Sequence, residues 1–367
     1  MANPSYTPPG RLGDPDLNLL TDPRTNPKVL EALQSFGIAG FPTPELPKPF
    51  TIENLTPFIK QTHEMTTQLY EAIDNALPSD ASEPEIHMST QTIKGVDDND
   101  IILYIYKPAT AASTTGSPLP AVIYYHGGGM VFIPTDTKPH RRWLRSLAQQ
   151  NLIAIGVDFR NAFDASTNAH NPFPAGLNDC AAAARYIASH RAELGIGKLI
   201  LQGESGGGNL ALATALKASR EGWVDEIAGV YGLVPYISNA YGWPRERMLR
   251  ELPSLVENDG YMVTMATSAA FGFYYGPEAM EEPLAWPYHA SVEEVKGLPP
   301  VVLRMDELDP LRDEGVVFAR KLAEASVRVE AKVGLGTIHG SAVVLRKALP
   351  EVHGAVVGEV AAFARSL

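Results

Sequence analysis

Lys198-Leu199-Ile200-Leu201-Gln202-Gly203-Glu204-Ser205-Gly206-Gly207-Gly208-Asn209 is the stretch on which the reading of this chain turns. An apolar, β-forming run leads into Gly203-Glu204-Ser205-Gly206-Gly207, and helix-forming residues continue from Asn209 to Leu216. A G-x-S-x-G pentapeptide is modest evidence alone, and a plain glycine-rich strand-to-helix turn is its structural alternative. Strand before and helix after give it meaning. A turn that sharp has room only for small residues, and it thrusts the serine hydroxyl into a cleft. The new helix also points its positive end at the serine, where negative charge would develop.

Outward from that turn, short apolar runs recur at Ile101–Tyr106, Ala121–Tyr125, Leu152–Val157, Ile227–Tyr231, Val301–Met305 and Val327–Val333. Most are near-continuous, as strands covered on both faces are. Helical patterns fall between them at Arg141–Gln150, Gly176–His190, Gly208–Arg220 and Arg312–Ala325. This alternation predicts an α/β fold with a mostly parallel central sheet and helices on both faces. Two regions break the rhythm. Residues 1–50 carry ten prolines, and within them Asn26-Pro27 reads as a cap opening a helix over Lys28–Phe36. A further helix is expected over Asn54–Leu77 from the spacing of Leu55, Phe58, Ile59, Met65, Leu69, Ile73 and Leu77. The long connection after Tyr231 holds Trp243, a turn at Leu252-Pro253-Ser254 and a helical stretch near Val263–Tyr275. Too long for a simple crossover, it is expected to form a helical cap together with the N-terminal helices. The boundaries are a cap segment at 1–84, core at 85–235, a cap insertion at 236–297 and core at 298–367.

The second chemical signal is His126-Gly127-Gly128-Gly129, directly after the Ala121–Tyr125 run. Glycines there let the backbone approach a substrate and aim amide hydrogens at one oxygen. Gly128 and Gly129, with Gly206, are the expected oxyanion donors, and His126 is expected to anchor the loop. A phosphate loop is disfavoured because no G-K-[ST] follows. A serine needs a base, and the base needs an orienting acid. Of nine histidines, His339 in Gly336-Thr337-Ile338-His339-Gly340 sits on a turn after the last expected strand. His353 falls in a predicted C-terminal helix, where a surface position is expected. The acid should lie between serine and histidine in the chain. Asp309, in Asp306-Glu307-Leu308-Asp309-Pro310, is the first choice and Asp306 the second.

Composition narrows the partners. The 367-residue chain has a net charge of −12 and no basic stripe, which argues against nucleic acid. No run of apolar residues is long enough for a membrane span, and Met1–Gly13 lacks a signal-peptide core. The single cysteine, Cys180, cannot form an internal disulfide and reads as core filler in a helix. A cytoplasmic protein is the expectation. No H-E-x-x-H run or C-x-x-C pair supports a metal site, and the serine chemistry needs no cofactor.

The blocks His126-Gly127-Gly128-Gly129, Gly203 through Asn209, Asp309-Pro310-Leu311-Arg312-Asp313-Glu314-Gly315 and Ile338-His339-Gly340 together resemble the hormone-sensitive-lipase branch of the α/β-hydrolase family. The likeness runs from about residue 85 to the end. Gly229 through Ser238 and Glu251 through Gly260 further resemble bacterial members of that branch. One departure is Glu204-Ser205-Gly206 where many relatives carry Asp-Ser-Ala. The resemblance implies an α/β-hydrolase fold with a cap, a catalytic Ser205–Asp309–His339 set, and hydrolysis of carboxylic esters through an acyl-enzyme. The expected partner is a small to medium uncharged ester or lactone, with amides and carbamates left open. The rival is a non-catalytic small-molecule binder on the same scaffold. A homodimer is compatible with the sequence. Phe58, Trp243, Tyr261 and Phe271 are expected either to give the pocket an apolar lining or to pack the cap itself, which explains them equally well.

Overall fold

The computed structural model describes residues 7–38, 40–73, 84–109 and 117–367. Its strands are β1 (Ile86–Lys94), β2 (Asp100–Pro108), β3 (Leu119–Tyr125), β4 (Ile153–Asp158), β5 (Ile196–Glu204), β6 (Gly229–Leu233), β7 (Val301–Asp306) and β8 (Val329–Gly334). They form one sheet in the order β1-β2-β4-β3-β5-β6-β7-β8. β1, β2 and β4 pair antiparallel, and every pairing from β4 through β8 is parallel. Every apolar run anticipated from sequence is a strand. β1 is an addition: its residues Ile-His-Met-Ser-Thr-Gln-Thr-Ile-Lys are mostly exposed on a sheet edge, so no buried face imposed a hydrophobic pattern.

Side chains on successive strand residues point to opposite faces, and the core divides accordingly. On one face Ala121, Ile123 and Tyr125 of β3 and Leu199 and Leu201 of β5 pack with Leu210 and Leu212 of the Gly206–Glu221 helix. Cys180 and Ala183 of the Ala175–Ser189 helix join them, so the cysteine is core filler. On the other face Val122 and Tyr124 of β3 and Tyr231 of β6 meet Trp143 and Leu147 from the Lys138–Gln149 helix and Val356 and Val360 from the Pro350–Ser366 helix. A third cluster joins Val29 and Leu33 of the Pro27–Ser35 helix to Tyr261, Leu308, Ile338 and Leu349. That small N-terminal helix begins as expected, with the Asn26 side chain accepting from Lys28 N–H and Pro27 in the first turn.

The helix Ile52–Ala72 buries Leu55 and Ile59 and is joined to the Met265–Tyr275 helix by a 3.1 Å contact between the Thr56 and Tyr274 hydroxyls. Leu77, expected at the end of the first of these, lies outside the described residues. The turn expected at Leu252-Pro253-Ser254 separates two short helices, Arg245–Glu251 and Ser254–Glu257.

His353 contradicts its surface expectation. It is buried, its Nδ1–H donates to Ala342 O at 2.7 Å and its Nε2 accepts from the Ser146 hydroxyl at 2.9 Å. Its helix is covered on the His353 side by the Lys138–Gln149 helix, a neighbour that local periodicity does not reveal. Burial drives its pKa down to about 4, so it is a neutral cross-link. Among the described residues no helix is long and apolar enough to cross a membrane.

Candidate active site

All of the chemical segments emerge from the carboxyl ends of parallel strands. β3 runs into His126, β5 into Ser205, β7 into Asp306–Asp309, and β8 into the turn before His339. β3 and β5 are neighbours, while the chain leaves β3 for β4 on its other side. Strand order therefore reverses there, and a crevice opens between the two loops.

Ser205 sits at φ 56° and ψ −120°, a conformation that L residues rarely adopt. It is held there by hydrogen bonds from its N–H to Leu233 O at 2.9 Å and to its carbonyl from Tyr236 N–H at 3.1 Å. The glycines around it answer to backbone that cannot move aside. A Cβ on Gly203 would lie 2.1 Å from Gly207 O, one on Gly207 1.9 Å from Tyr125 O, and one on Gly206 2.5 Å from Met130 N. The elbow and the 126–130 loop thus interlock through bare backbone.

That loop is braced from behind. His126 is fully buried, stacks on Phe159 at 4.4 Å between centroids, and donates from Nδ1 to Gly127 O at 2.7 Å. Burial, reinforced by nearby His140, drives its pKa down to about 3, so it stays a neutral anchor. Glu204 supplies a brace that the sequence did not disclose: its Oε1 accepts from Gly127 N–H at 2.8 Å and lies 3.4 Å from His140 Nε2. Gly128 and Gly129 have φ +94° and +63°, and neither of their amides donates to a backbone carbonyl among the described residues. The Gly206 amide opens its helix, where no intrahelical acceptor exists.

Asp309 has no exposed surface; its Oδ2 accepts from His339 Nδ1–H at 2.7 Å and its Oδ1 from Leu311 N–H at 2.9 Å. With Nδ1 as donor, His339 Nε2 is left as the acceptor. Burial pulls the His339 pKa down, but the charge and hydrogen bond of Asp309 more than offset it, so the net shift is upward from 6.5. Asp306 points elsewhere. Its Oδ1 accepts from the Thr337 hydroxyl at 2.7 Å, its Oδ2 is buried without a partner, and burial pushes its pKa up to about 6. A second clamp missing from the sequence reading is Asn258, whose Nδ2 donates to Glu307 O at 3.0 Å and Asp309 O at 3.2 Å. Its partners lie about fifty residues along the chain, beyond any local signal.

Ser205, His339, Gly128 and Gly129 face one cavity of about 230 Å³. Tyr70, Phe132, Phe271, Leu311 and Val344 form its apolar walls, and Thr62, Thr66, Thr264, Thr267 and Ser268 add hydroxyl-bearing side chains. Among the described residues of that lining, His339 and Glu204 are the only histidine, carboxylate, lysine or arginine side chains. Of the four apolar residues weighed as lining or as cap packing, Phe271 lines the cavity and the other three do not. Phe58 packs into the core, Trp243 lies under the Arg247 guanidinium at 3.4 Å, and the Tyr261 hydroxyl donates to Asp22 at 3.0 Å. These three take the packing role that the sequence left equally open, Phe58 and Trp243 against one core cluster and Tyr261 within another. No cluster of His, Cys, Asp and Glu suited to a metal occurs among the described residues.

A family model described as alpha/beta hydrolase fold matches residues 122–343, and the chain belongs to that family. It is similar to esterase LipI of Mycobacterium tuberculosis, with 30% identity over 269 residues, covering 72% of this chain and 78% of that protein. The structure of brefeldin A esterase, described as a bacterial homologue of human hormone sensitive lipase, matches with a TM-score of 0.93 and 46% identity over 98% of both chains. Esterase Est22 matches with a TM-score of 0.83 and 32% identity over 95% of this chain and 99% of its own.

Proposed function

We propose that the protein is a serine carboxylesterase in which Ser205 is the nucleophile, His339 the general base and acid, and Asp309 the residue that orients it. The observation that carries this reading is a strained, cavity-facing serine opposite a histidine whose Nδ1 is committed to a buried carboxylate. Nε2 accepts the Ser205 proton as Oγ attacks the ester carbonyl, and the carbonyl oxygen gains negative charge. The amides of Gly128, Gly129 and Gly206 receive that oxyanion, each such donor being worth roughly a hundredfold or more in rate. The imidazolium then returns its proton to the leaving alcohol. Water, deprotonated by the same nitrogen, releases the acid from Ser205 and restores the enzyme.

Substrate character follows from the walls. With no lysine or arginine among the described lining residues, the lining favours no substrate anion, and the cavity suits small to medium uncharged esters or lactones. The segments 1–84 and 236–297 act as a cap, since Thr62, Tyr70 and Phe271 reach the cavity from them. A cytoplasmic location is in keeping with the one cysteine being free and buried. Ser205→Ala tests the whole scheme: turnover of p-nitrophenyl butyrate should fall about a millionfold, with circular dichroism unchanged. A folded variant that kept a tenth of the activity would rule out this nucleophile.

A further inference from the structure

Behind the active-site cavity lies a second space. Among the described residues, a groove of about 650 Å³ is walled by Ala32, Phe36, Ile73, Leu345 and Ala348, with Lys28 and Glu31 among its polar lining. Val344 lines this groove and also lines the Ser205 cavity. The Ile52–Ala72 helix borders both spaces as well, offering Tyr70 to the cavity and Ala72 to the groove, with Ile73 just beyond its end.

The packing around Val344 is that of a partition. Val344 is only 5% exposed, yet it belongs to none of the three apolar clusters. Ala342 and Val343 before it join the second cluster, and Leu345 after it joins the third. A side chain between two spaces has few side-chain partners, which explains the gap. The backbone that carries it is fixed. Gly340 opens the turn at φ +71°, and the Ser341 hydroxyl donates to Ile338 O at 2.6 Å while accepting from Ile338 N–H at 3.0 Å. Leu345 N–H closes the turn on Ser341 O at 3.0 Å. Among the described residues, Val344 is the one that lines both spaces.

Size gives the partition a consequence. The Ser205 cavity, at about 230 Å³, lies below the range of roughly 300–1,000 Å³ usual for ligand pockets, and the apolar groove beyond Val344 holds more room than the cavity itself. Resting on the esterase reading above, we propose that Val344 is the specificity-determining residue that sets how long an ester arm the site accepts, by closing the cavity off from the groove. A chain passing the partition would exchange water for apolar wall, a gain of about fourfold in kcat/KM per methylene buried.

The test compares kcat/KM for two series, p-nitrophenyl esters of increasing acyl length and acetates of increasing alcohol length. In Val344→Ala the ratio of eight-carbon to four-carbon substrate should rise by about tenfold or more in the series whose arm points at residue 344. Adding Ala348→Phe, which puts a bulky side chain into the groove lining, should return that ratio to the wild-type value. Val344→Phe should shift preference the other way, toward the shortest substrates, and it carries the test if the alanine variant does not fold. Ratios unchanged by both Val344 variants, or a gain that survives Ala348→Phe, would overturn the proposal. A wild-type protein inert toward every ester in both series would instead refute the esterase reading on which it stands.

Discussion

Replacing Asp309 by asparagine probes the arrangement where it has the least slack. The carboxylate serves two donors at once, His339 Nδ1–H at 2.7 Å and Leu311 N–H at 2.9 Å. An amide has one oxygen for those two. If the oxygen stays with Leu311, the NH2 group faces Nδ1, which can then only accept. The imidazole proton moves to Nε2, and the ring can no longer take a proton from Ser205. If the oxygen turns to His339, the NH2 opposes Leu311 N–H in a fully buried site, costing about 1–3 kcal/mol for the lost bond. In both states the negative charge that stabilises the forming imidazolium is gone. A wrong-tautomer histidine in a triad of this kind costs roughly ten-thousandfold in turnover, equivalent to about 5.5 kcal/mol of barrier. Asp306→Asn is the control. Its oxygen can keep the Thr337 hydroxyl, and its NH2 fills the space of an Oδ2 that has no partner. The change in turnover should stay within about tenfold. Removing the Asp306 charge, which helps hold the His339 pKa up, should also move the acid limb of the pH profile downward. Turnover of p-nitrophenyl butyrate at pH 8, after circular dichroism has shown both variants folded, decides the matter. A folded Asp306→Asn crippled thousands-fold beside a nearly active Asp309→Asn would reverse the two assignments.

Four further outcomes are expected. Because His339 must be neutral to act and its pKa is shifted upward, kcat/KM should fall as pH drops through a midpoint above 6.5; a limb centred below pH 6 would contradict a histidine paired with Asp309. Gly207→Ala places a Cβ 1.9 Å from Tyr125 O and 2.6 Å from His126 O, so thermal denaturation should show a loss of about 3 kcal/mol or more. Gly354→Ala, in the exposed part of the last helix with nothing within 4 Å, should instead gain up to about 1 kcal/mol. His353, with a folded pKa lowered to about 4 against an unfolded 6.5, favours proton uptake by the unfolded chain, so its contribution is full above pH 6.5 and is lost as pH falls toward 4. Urea unfolding of wild type and His353→Gln should show a stability gap that narrows between pH 7 and 4.5 by up to about 2–3 kcal/mol; a gap that widens would be inconsistent with a buried neutral histidine.

The run Lys198–Asn209, the loop His126–Gly129 and the turn at His339 could be read without coordinates because each is a local demand. A sharp elbow admits only glycine at 203, 206 and 207, and a parallel strand covered on both faces must be apolar along its length. The choice of Asp309 over Asp306 came from position on the loop after β7, and in the structure Asp309 is the one bonded to His339. Other features needed the tertiary structure. β1 is polar because it is an exposed edge, so it left no periodic trace. His353 is buried by a helix two hundred residues earlier in the chain, and Asn258 clamps a loop about fifty residues later. Phe58, Trp243 and Tyr261 are apolar for packing reasons that look the same in sequence as pocket lining. Local sterics and side-chain periodicity are written into short stretches of chain, and those determined the sheet, the elbow and the residues of the candidate site. Which apolar or polar side chain meets which partner depends on surfaces brought together from distant segments, and only the folded chain decides it.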